Sequence, residues 1–435
     1  MSGAGWLRAA AARRPGHVAL EADGQALTYA QLDQRAARGA RRLAARGVRP
    51  GDRVGLALPP GVAFVEAFHA CLRLGAVAVP IDLRLGARER ATQTSGTALV
   101  VAEPLDGPQA EVGIVPGQSP RAVAAVVHTS GTTGTARPVE LTYGNWEASA
   151  RGSAARLGLR SAQRWLCALP LSHVGGLSIV VRSAIYATTA IVHERFEAEA
   201  VAAALATQRV TLVSLVPTML ARLLGVGARP APALRCALLG GAPLSVQLAH
   251  AAMQAGFPLA QTYGLTEACS QVTTSEIGEP STTGRPLDGT VVEIAPDGEI
   301  LVAGPSVAPG AVASDGFLHT GDLGRLDARG RLIVTGRKAE LVISGGENVA
   351  PAEVEAVLES HPDVAEAAVH GRPDPEWGEA VVATVVPVQG RRVCAEQLRA
   401  HCRDRLAGFK VPRAIELAPS LPRTASGKLR RDLLE

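Results

Sequence analysis

Short apolar runs alternate with amphipathic, alanine-rich segments along most of this chain, and this alternation constrains its fold more than any other feature. The strand-like runs are 53–58, 77–79, 212–216 and 236–239. Helical spacing of apolar residues marks the segments 29–45, 63–74, 197–208 and 246–255. Strands that alternate with helices in this way predict a layered α/β architecture.

The pattern changes in the last third of the chain. From Thr290 to about Val334, short β segments are separated by turn signals such as Pro296-Asp297-Gly298, which predicts a β-rich subdomain. Beyond Gly336 we expect a compact α+β unit with helices at 351–360 and 395–406 and strands at 364–370 and 380–388. The predicted fold class is therefore α/β, with a large domain over residues 1–336 and a small, mobile C-terminal domain over residues 337–435.

Composition excludes several classes of protein. The chain has 435 residues with 47% hydrophobic and 19% charged, which is typical of two or three globular domains. A net charge of +4 without any basic run argues against a nucleic-acid partner. No apolar stretch reaches about 18 residues, so we expect no transmembrane segment, and residues 1–15 are typical of an amphipathic helix rather than a signal peptide. The sequence leaves the oligomeric state open, with a homo-oligomer as one option.

The six cysteines show no CxxC spacing and lie mostly in apolar runs. This arrangement predicts buried free thiols in a reducing, cytoplasmic location and no zinc site.

The most informative loop for function is Thr129, Ser130, Gly131, Thr132, Thr133 and Gly134, which follows the apolar run 122–127. Four hydroxyls and two glycines in six residues provide the O–H and N–H donors that bind polyphosphate oxygens. The loop is not a Walker motif, because G-x-x-x-x-G-K-[ST] is absent. Taken alone, a Ser/Thr/Gly cluster of this kind is more often only a solvated loop.

Three further clusters carry polar side chains in predicted turns. The first, 261–267, combines Thr262, Tyr263, Gly264, Thr266 and Glu267, which can stack a base, bind an oxyanion and hold a cation; an ordinary turn with Thr266 as N-cap is the alternative. The second, 320–324, places Asp322 in a tight turn, where it can accept from ribose hydroxyls or form a simple Asx-turn. The third comprises Gly336-Arg337-Lys338 and Ser344-Gly345-Gly346-Glu347-Asn348, which flank a predicted strand; alone, these are more typical of a domain linker and an ordinary glycine turn.

Lysine is rare in this chain: of 44 basic residues, only Lys338, Lys410 and Lys428 are lysines. Lys428 ends the loop Pro422-Arg423-Thr424-Ala425-Ser426-Gly427-Lys428. A terminal lysine is ordinarily a solvated charge. Its retention against such strong arginine bias makes it a functional candidate, because a compact ammonium is not interchangeable with a guanidinium.

Together, in this order and spacing, the clusters resemble the adenylate-forming superfamily of acyl-CoA synthetases, adenylation domains and luciferases, from Leu27-Thr28-Tyr29 to Lys428. The resemblance implies two half-reactions: a carboxylate and ATP give an acyl-adenylate and pyrophosphate, and a thiol then displaces AMP. It also implies the cofactors ATP, Mg²⁺ and CoA.

The resemblance further implies roles for individual residues. Residues 129–134 would hold the β- and γ-phosphates, Glu267 would position Mg²⁺, and Thr266 would contact the α-phosphate. The adenine pocket would comprise Gly241, Ala242, Pro243, Thr262 and Tyr263, while Asp322 and Arg337 would hold the ribose. Lys428 would stabilise the charge developing between carboxylate and α-phosphate. Around a hinge at Ala339-Glu340, the small domain would rotate and bring Ser344, Gly345 and Gly346 to the thiol tunnel.

The chain departs from the family in one place. The family's phosphate loop usually continues Gly-x-Pro-Lys-Gly, whereas here it continues Thr135-Ala136-Arg137-Pro138. Arg137 keeps the charge, and the shifted proline is expected to affect the rate of adenylation more than its occurrence.

Within the family, the segments 169–178, 182–186 and 264–271 resemble the o-succinylbenzoate–CoA ligase branch of menaquinone synthesis. The predicted acyl pocket contains His173, Arg182, Gly240, Gly264 and Ser270, near the strand around Leu238. Arg182, with hydroxyls at Ser270 and Thr273, would meet the second carboxylate of this dicarboxylic substrate. The alternatives are a core or gate histidine at 173 and a surface or structural arginine at 182.

Three other functions stay open at this point. One is a CoA ligase for another aryl or medium-chain acid, and another is a stand-alone adenylation enzyme that loads a carrier protein. The third is a catalytically silent binding homologue, which the presence of Glu267, Asp322, Arg337 and Lys428 disfavours.

Overall fold

The computed structural model describes residues 3–111, 117–129, 137–344, 347–375, 377–423 and 429–434. None of the helices in these ranges combines the length and apolar character that a membrane crossing requires.

The described residues contain eleven α-helices, which alternate with strands through most of the chain. They are α1 (Trp6–Arg13), α2 (Tyr29–Ala45), α3 (Val62–Leu74), α4 (Ala87–Thr94), α5 (Tyr143–Leu157), α6 (Val174–Tyr186), α7 (Ala198–Thr207), α8 (Pro217–Gly225), α9 (Val246–Gln254), α10 (Pro351–Glu359) and α11 (Ala395–Arg403).

The strands of the first half are β1 (Gly3–Ala4), β2 (Val18–Ala22), β3 (Gln25–Thr28), β4 (Arg53–Leu56), β5 (Val77–Pro80), β6 (Leu99–Val101), β7 (Gly117–Gln118), β8 (Val123–Thr129), β9 (Arg137–Thr142), β10 (Arg164–Cys167), β11 (Thr189–Val192) and β12 (Leu212–Leu215). Those of the second half are β13 (Cys236–Leu239), β14 (Leu259–Leu265), β15 (Ser270–Thr274), β16 (Arg285–Pro286), β17 (Val291–Ile294), β18 (Glu299–Ala303), β19 (Leu318–Leu326), β20 (Leu332–Arg337), β21 (Val342–Ser344), β22 (Glu347–Val349), β23 (Val364–Asp374), β24 (Gly378–Pro387) and β25 (Ala414–Leu417).

Two large sheets organise residues up to 286. A nine-stranded sheet has the order β16-β15-β14-β13-β12-β10-β11-β2-β3, and a five-stranded sheet has the order β6-β4-β5-β8-β9. In the larger sheet, the strands from β2 through β14 pair in parallel, while β3, β15 and β16 pair antiparallel at its two ends. Parallel strands with intervening helices are the layered α/β arrangement that the apolar pattern predicted.

The helix α2 shows how closely local chemistry fixes an element. It begins and ends at the predicted residues, Tyr29 and Ala45. The hydroxyl of Thr28 accepts from the backbone N–H of Gln31 at 3.3 Å, and the Gln31 side chain accepts from the Thr28 N–H at 2.9 Å. This capping box satisfies two N–H groups that an uncapped helix start leaves unpaired. The buried face of α2 packs chiefly against α3 and lies in the main core.

The last third forms two separate β-containing units. An antiparallel sheet of β17-β18-β19-β20 is the predicted β-rich subdomain, and it extends to Arg337. A further sheet, β22-β21-β24-β23 with β25 beside β24, packs against α10 and α11 around its own apolar cluster, from Val342 to Cys402. The predicted boundary at residues 336 and 337 falls at the end of β20 and stays a prediction. The α/β fold class with a small C-terminal α+β unit is confirmed.

All six cysteines are free thiols, as predicted. Five are buried, but the prediction is wrong for Cys394, which is exposed. Its side chain lies at the N-cap of α11, outside the apolar stripe that this helix presents to the small core.

Candidate active site

A cavity of about 810 Å³ lies beyond the carboxyl ends of the parallel strands β10, β12 and β13. Open α/β sheets bind ligands at this edge, because strand-to-helix loops converge there. Seven of the predicted site residues line the cavity: His173, Arg182, Gly240, Gly241, Thr262, Gly264 and Ser270. Five arginines and two carboxylates contribute to its wall, so the cavity suits an anionic ligand.

Arg182 is the most unusual side chain of this wall. It lies on α6, is only 1% exposed, and extends its guanidinium over the Trp165 ring at 5.8 Å. Its Nη1 donates to Gln271 Oε1 at 2.6 Å and its Nη2 to Ser149 Oγ at 2.8 Å, while Nε has no partner. No carboxylate of the described residues lies within ion-pair distance. The surface alternative for Arg182 is therefore wrong, and burial lowers the pKa of its guanidinium.

His173, at the start of α6, contacts an ion pair at the cavity wall. Arg84 Nη2 lies 2.8 Å from His173 Nε2, and Arg84 Nε donates to Asp82 Oδ1 at 2.8 Å. Burial opposes ionisation of Asp82, yet hydrogen bonds from Arg84 hold the pKa of this carboxyl well below its ordinary value. Because a guanidinium only donates, Nε2 of His173 accepts in this contact. With 29% of its side chain exposed, His173 is not a core histidine.

The approach of β14 to β15 depends on Gly264. A Cβ at this position would lie 1.8 Å from the carbonyl oxygen of Ser270, so no other residue fits without moving the backbone. Cys269 and Ser270 have positive φ angles of 54° and 93°, which bend the chain where it enters β15. Ser270 and Gln271 consequently both face the cavity. Thr273, which we predicted near the second carboxylate, is fully buried in β15 and does not line the wall.

A second cluster joins three residues predicted to hold the nucleotide. The Tyr263 hydroxyl donates to Asp322 Oδ2 at 2.7 Å, and Arg337 Nε donates to Asp322 Oδ1 at 2.6 Å. Burial and then the nearby carboxylate raise the pKa of Tyr263, so its phenol stays protonated. Burial works against the charge of Arg337, but the Asp322 carboxylate raises the pKa of this guanidinium overall.

The structure corrects the predicted setting of these residues. We expected 261–267 and 320–324 to be turns, but Gln261–Leu265 belongs to β14 and Thr320–Gly324 lies inside β19. These polar, glycine-containing segments are strands with irregular pairing: the register shifts after Tyr263 in β14 and after Leu323 in β19. Register pairs Asp322 directly with Arg337 across β19 and β20.

Thr266 and Glu267 lie in the one-turn 3-10 helix that connects β14 to β15. The N-cap of this turn is Leu265, so Thr266 is not a capping residue. Both side chains are half-buried, and within the described ranges neither has a hydrogen-bond partner. No group of three or more metal-binding side chains occurs around Glu267 or elsewhere in the part of the chain that the structure describes.

The predicted phosphate loop connects β8 and β9. Thr129 ends β8 and pairs across the hairpin with Arg137, whose backbone N–H lies 3.4 Å from the Thr129 hydroxyl. Ser130, Gly131, Thr132, Thr133 and Gly134 lie outside the described residues. Of the predicted adenine pocket, Gly241 lines the cavity with a φ of 81°, whereas Ala242 and Pro243 follow it in the loop before α9 and are not part of the wall.

The small α+β unit carries the remaining predicted residues. Ser344 is buried at the end of β21, opposite Glu347, and it does not line the cavity. Ala339 and Glu340 lie in a 3-10 turn after β20. Gly345, Gly346 and Lys428 fall outside the described residues, but Arg423 and Leu429, on either side of the loop that contains Lys428, form an antiparallel bridge.

Three residues at the site were not predicted from the sequence. Gln271 and Ser149 hold Arg182, and Arg423 is the one cavity-lining residue from beyond residue 271 in the described chain. Arg423 also pairs with Glu366 at 2.5 Å. Its position just before the loop of Lys428 was the available signal, whereas no sequence pattern connects Ser149 with the cavity.

Comparisons with known proteins agree with this fold. The family model for AMP-binding enzymes matches residues 7–106 and 93–311, and the model for the AMP-binding enzyme C-terminal domain matches residues 353–428. The 2-succinylbenzoate–CoA ligase of Bacillus subtilis (strain 168) is 38% identical over 473 residues, covering 99% of this chain and 97% of that protein.

Solved structures give the same result. The o-succinylbenzoate CoA synthetase of Bacillus subtilis in complex with the acyl-adenylate intermediate matches with a TM-score of 0.92 at 37% identity, covering 100% of this chain and 98% of that one. The same synthetase in complex with ATP and magnesium ion matches with a TM-score of 0.90 at 38% identity, covering 99% and 98%. Fold and motifs thus define an adenylate-forming enzyme. The chain belongs to the AMP-binding enzyme family, as the motif set predicted.

Proposed function

We propose that this chain is an acid–thiol ligase that uses ATP, Mg²⁺ and CoA to convert o-succinylbenzoate to o-succinylbenzoyl-CoA, a step of menaquinone biosynthesis. The observation that carries the choice of acid is the uncompensated Arg182 cation in the wall of the 810 Å³ cavity. A buried guanidinium without a carboxylate partner costs several kcal/mol, and a substrate carboxylate would offset this cost. The full-length relatives that carry this activity in their names support the proposal.

In this proposal the nucleotide binds between the cavity and the cluster of Tyr263, Asp322 and Arg337. Each Asp322 oxygen already accepts one hydrogen bond, and a carboxylate has lone pairs for more, so it can accept from ribose hydroxyls while staying oriented. Residues 129–134 would bind the β- and γ-phosphates, with Thr266 on the α-phosphate. Gly241 lines the cavity with a left-handed backbone, which is compatible with an adenine ring lying against it.

The donor set around Glu267 fits Mg²⁺ rather than a metal that needs a complete protein cage. Mg²⁺ keeps several waters and is ordinarily held by one or two carboxylates together with substrate phosphates. Glu267 would supply the carboxylate, and the bound ion would neutralise phosphate charge.

The chemistry follows from these positions. A carboxylate oxygen of the acid attacks the α-phosphorus of ATP, the bond to the β-phosphate oxygen breaks, and pyrophosphate leaves. The thiol sulfur of CoA then attacks the acyl carbonyl, its proton is lost, and AMP leaves. Lys428 would stabilise the charge in the first step by placing an ammonium beside the reacting oxygens. Between the steps, a small domain beginning at residue 337 would rotate about Ala339-Glu340 and bring Ser344, Gly345 and Gly346 to the thiol.

A cytoplasmic location is part of the proposal, because six free cysteines are typical of a reducing compartment.

The deciding experiment is acid-dependent pyrophosphate release, measured for o-succinylbenzoate and a panel of aryl and fatty acids, each with and without CoA. The proposal predicts strong preference for o-succinylbenzoate and turnover that requires CoA. Preferential turnover of another acid would mean that this acid, and not o-succinylbenzoate, is the substrate. Pyrophosphate release that does not depend on CoA would indicate that the thiol belongs to a carrier protein.

A further inference from the structure

Gln271 is a polar side chain of the cavity wall that is both buried and hydrogen-bonded. It lies in β15, is 2% exposed, and bonds through both ends of its amide. Oε1 accepts from Arg182 at 2.6 Å, and Nε2 donates to Thr274 Oγ1 at 2.8 Å. The amide orientation is unambiguous, because the guanidinium of Arg182 can only donate. Thr274 Oγ1 in turn lies 3.0 Å from Thr262 Oγ1, which connects this network to a second cavity-lining side chain.

The groups around Arg182 leave its charge uncompensated. Its two hydrogen-bond acceptors, Gln271 and Ser149, are neutral. The ionisable groups that face it are the phenol of Tyr186 and the thiol of Cys269. Burial raises the pKa of Tyr186 to about 12 and also raises the pKa of Cys269 well above neutrality, so both are uncharged in the working enzyme. Among the described residues, therefore, no anion balances this cation.

The identity of residue 271 decides this balance. Glutamate has the same shape as glutamine and would place a carboxylate oxygen 2.6 Å from Nη1, where the amide oxygen now lies. A charged, hydrogen-bonded pair buried at that distance would satisfy the guanidinium internally. With glutamine, the guanidinium is equally well positioned, but no anion of the described chain compensates its charge and its Nε has no hydrogen-bond partner there.

We propose that Gln271 is a specificity-determining residue, whose neutral amide orients Arg182 while reserving the guanidinium charge for the second carboxylate of the acid substrate. This inference rests on the proposed function and goes beyond it. The preference for a dicarboxylate depends on residues 271 and 182 together. Exchanging the amide of residue 271 for a carboxylate removes this preference while leaving the arginine in place.

The test is the variant Gln271→Glu, assayed with o-succinylbenzoate and with the two monoacids that each lack one carboxylate, 4-oxo-4-phenylbutanoate and 2-propanoylbenzoate. We expect kcat/KM for the dicarboxylate to fall about 100-fold, mainly through KM, because the new carboxylate competes for Arg182. For whichever monoacid is activated, kcat/KM should change less than about threefold, and the thermal midpoint should not fall.

Two further variants keep the test decisive. Gln271→Met keeps the side-chain volume but has neither a hydrogen-bond acceptor nor a charge. Because Arg182 then loses the bond that orients it, kcat/KM for the dicarboxylate should fall about tenfold. Gln254→Glu makes the same amide-to-acid change at an exposed position on α9 and should leave all three acids unaffected. If Gln271→Glu were poorly folded, the Met variant alone would show whether the dicarboxylate is selectively weakened.

The outcomes separate this inference from the proposed function. Equal loss for dicarboxylate and monoacid, or no loss for either, would overturn the role of Gln271 while wild-type turnover of o-succinylbenzoate still supported the ligase. Absence of turnover of o-succinylbenzoate by the wild type would overturn the proposed substrate itself.

Discussion

The hydroxyl of Tyr263 lies 2.7 Å from Oδ2 of Asp322 and donates to it, which joins β14 of the nine-stranded sheet to β19 of the antiparallel sheet. Because burial raises the pKa of Tyr263, the phenol remains a donor throughout the physiological range. This bond orients a carboxylate whose other oxygen is held by Arg337. The proposed ribose-binding group is therefore fixed from two sheets before any nucleotide arrives.

Replacing Asp322 with asparagine should weaken ATP binding more than acid binding. The amide keeps the shape but loses the charge, and charge-assisted hydrogen bonds contribute about 1.5–3 kcal/mol. We expect the KM for ATP to rise roughly 10- to 100-fold, with a smaller change in the KM for the acid. Steady-state pyrophosphate release checks both values. Asp327→Asn is the matched control, because Asp327 pairs with Arg331 at a hairpin of the same sheet; equal effects in both variants would remove Asp322 from the nucleotide site.

The role proposed for Lys428 predicts that its replacement affects the two half-reactions of the enzyme differently. Lys428→Ala should slow adenylate formation by about 10²–10³, the usual cost of removing one group that stabilises developing charge. Thiolysis of supplied acyl-adenylate should be unchanged. Rapid-quench measurement of each half-reaction provides the comparison. Lys410→Ala, which removes a lysine paired with Glu353 on the surface, should affect neither step; a parallel loss in both steps for Lys428→Ala would contradict the assignment.

Arg182→Met should reduce discrimination between one and two carboxylates. Methionine retains much of the buried volume but cannot bind an anion, so kcat/KM for o-succinylbenzoate should fall roughly 10²-fold or more. Competition assays against 4-oxo-4-phenylbutanoate and 2-propanoylbenzoate would measure the ratio. If kcat/KM fell by the same factor for all acids, the role of Arg182 would be structural, as a hydrogen-bonded link between α5, α6 and β15. Substrate choice would then depend on other residues.

The small α+β unit carries a carboxyl that should make its stability pH-dependent. Burial, with the neighbouring carboxylates of Glu355 and Glu366, raises the pKa of Glu359 from 4.5 to about 7. The folded state thus binds a proton that the unfolded chain releases, so this contribution is full below pH 4.5 and is lost as pH rises through about 7.

Glu359→Gln should therefore raise the thermal midpoint at pH 8 by about 3 °C and leave it nearly unchanged at pH 4.5. Calorimetric scans of both proteins across this range would show the divergence. Glu353→Gln, on the same helix α10 but paired with Lys410, should give no such gain at high pH. Parallel curves for Glu359→Gln and the wild type would mean that Glu359 ionises normally.

Much of this architecture could be predicted from residue patterns, and the exceptions have physical causes. The bounds of α2 and β13 follow from helical periodicity, a capping threonine and a short apolar run. The settings of Tyr263 and Asp322 were predicted wrongly, because glycine and threonine favour turns locally, whereas here pairing with β15 and β20 holds them in strands. Contacts between residues far apart in the sequence, such as Ser149 with Arg182, depend on tertiary packing, which no local sequence pattern encodes.

Arg423 follows the last strand of the small unit, yet its side chain forms part of a cavity whose other described walls come from residues 58–271. If the small domain rotates between half-reactions, as proposed, this part of the wall leaves with it. Arg182 and Gln271 would stay in place on α6 and β15, whereas Arg423 would contribute to the wall only during adenylation, so the bound acyl group would lie in a cavity of different shape when the thiol arrives. The part of the wall around the acyl group would therefore differ between the two half-reactions, even though the carboxylate-binding arginine is the same in both.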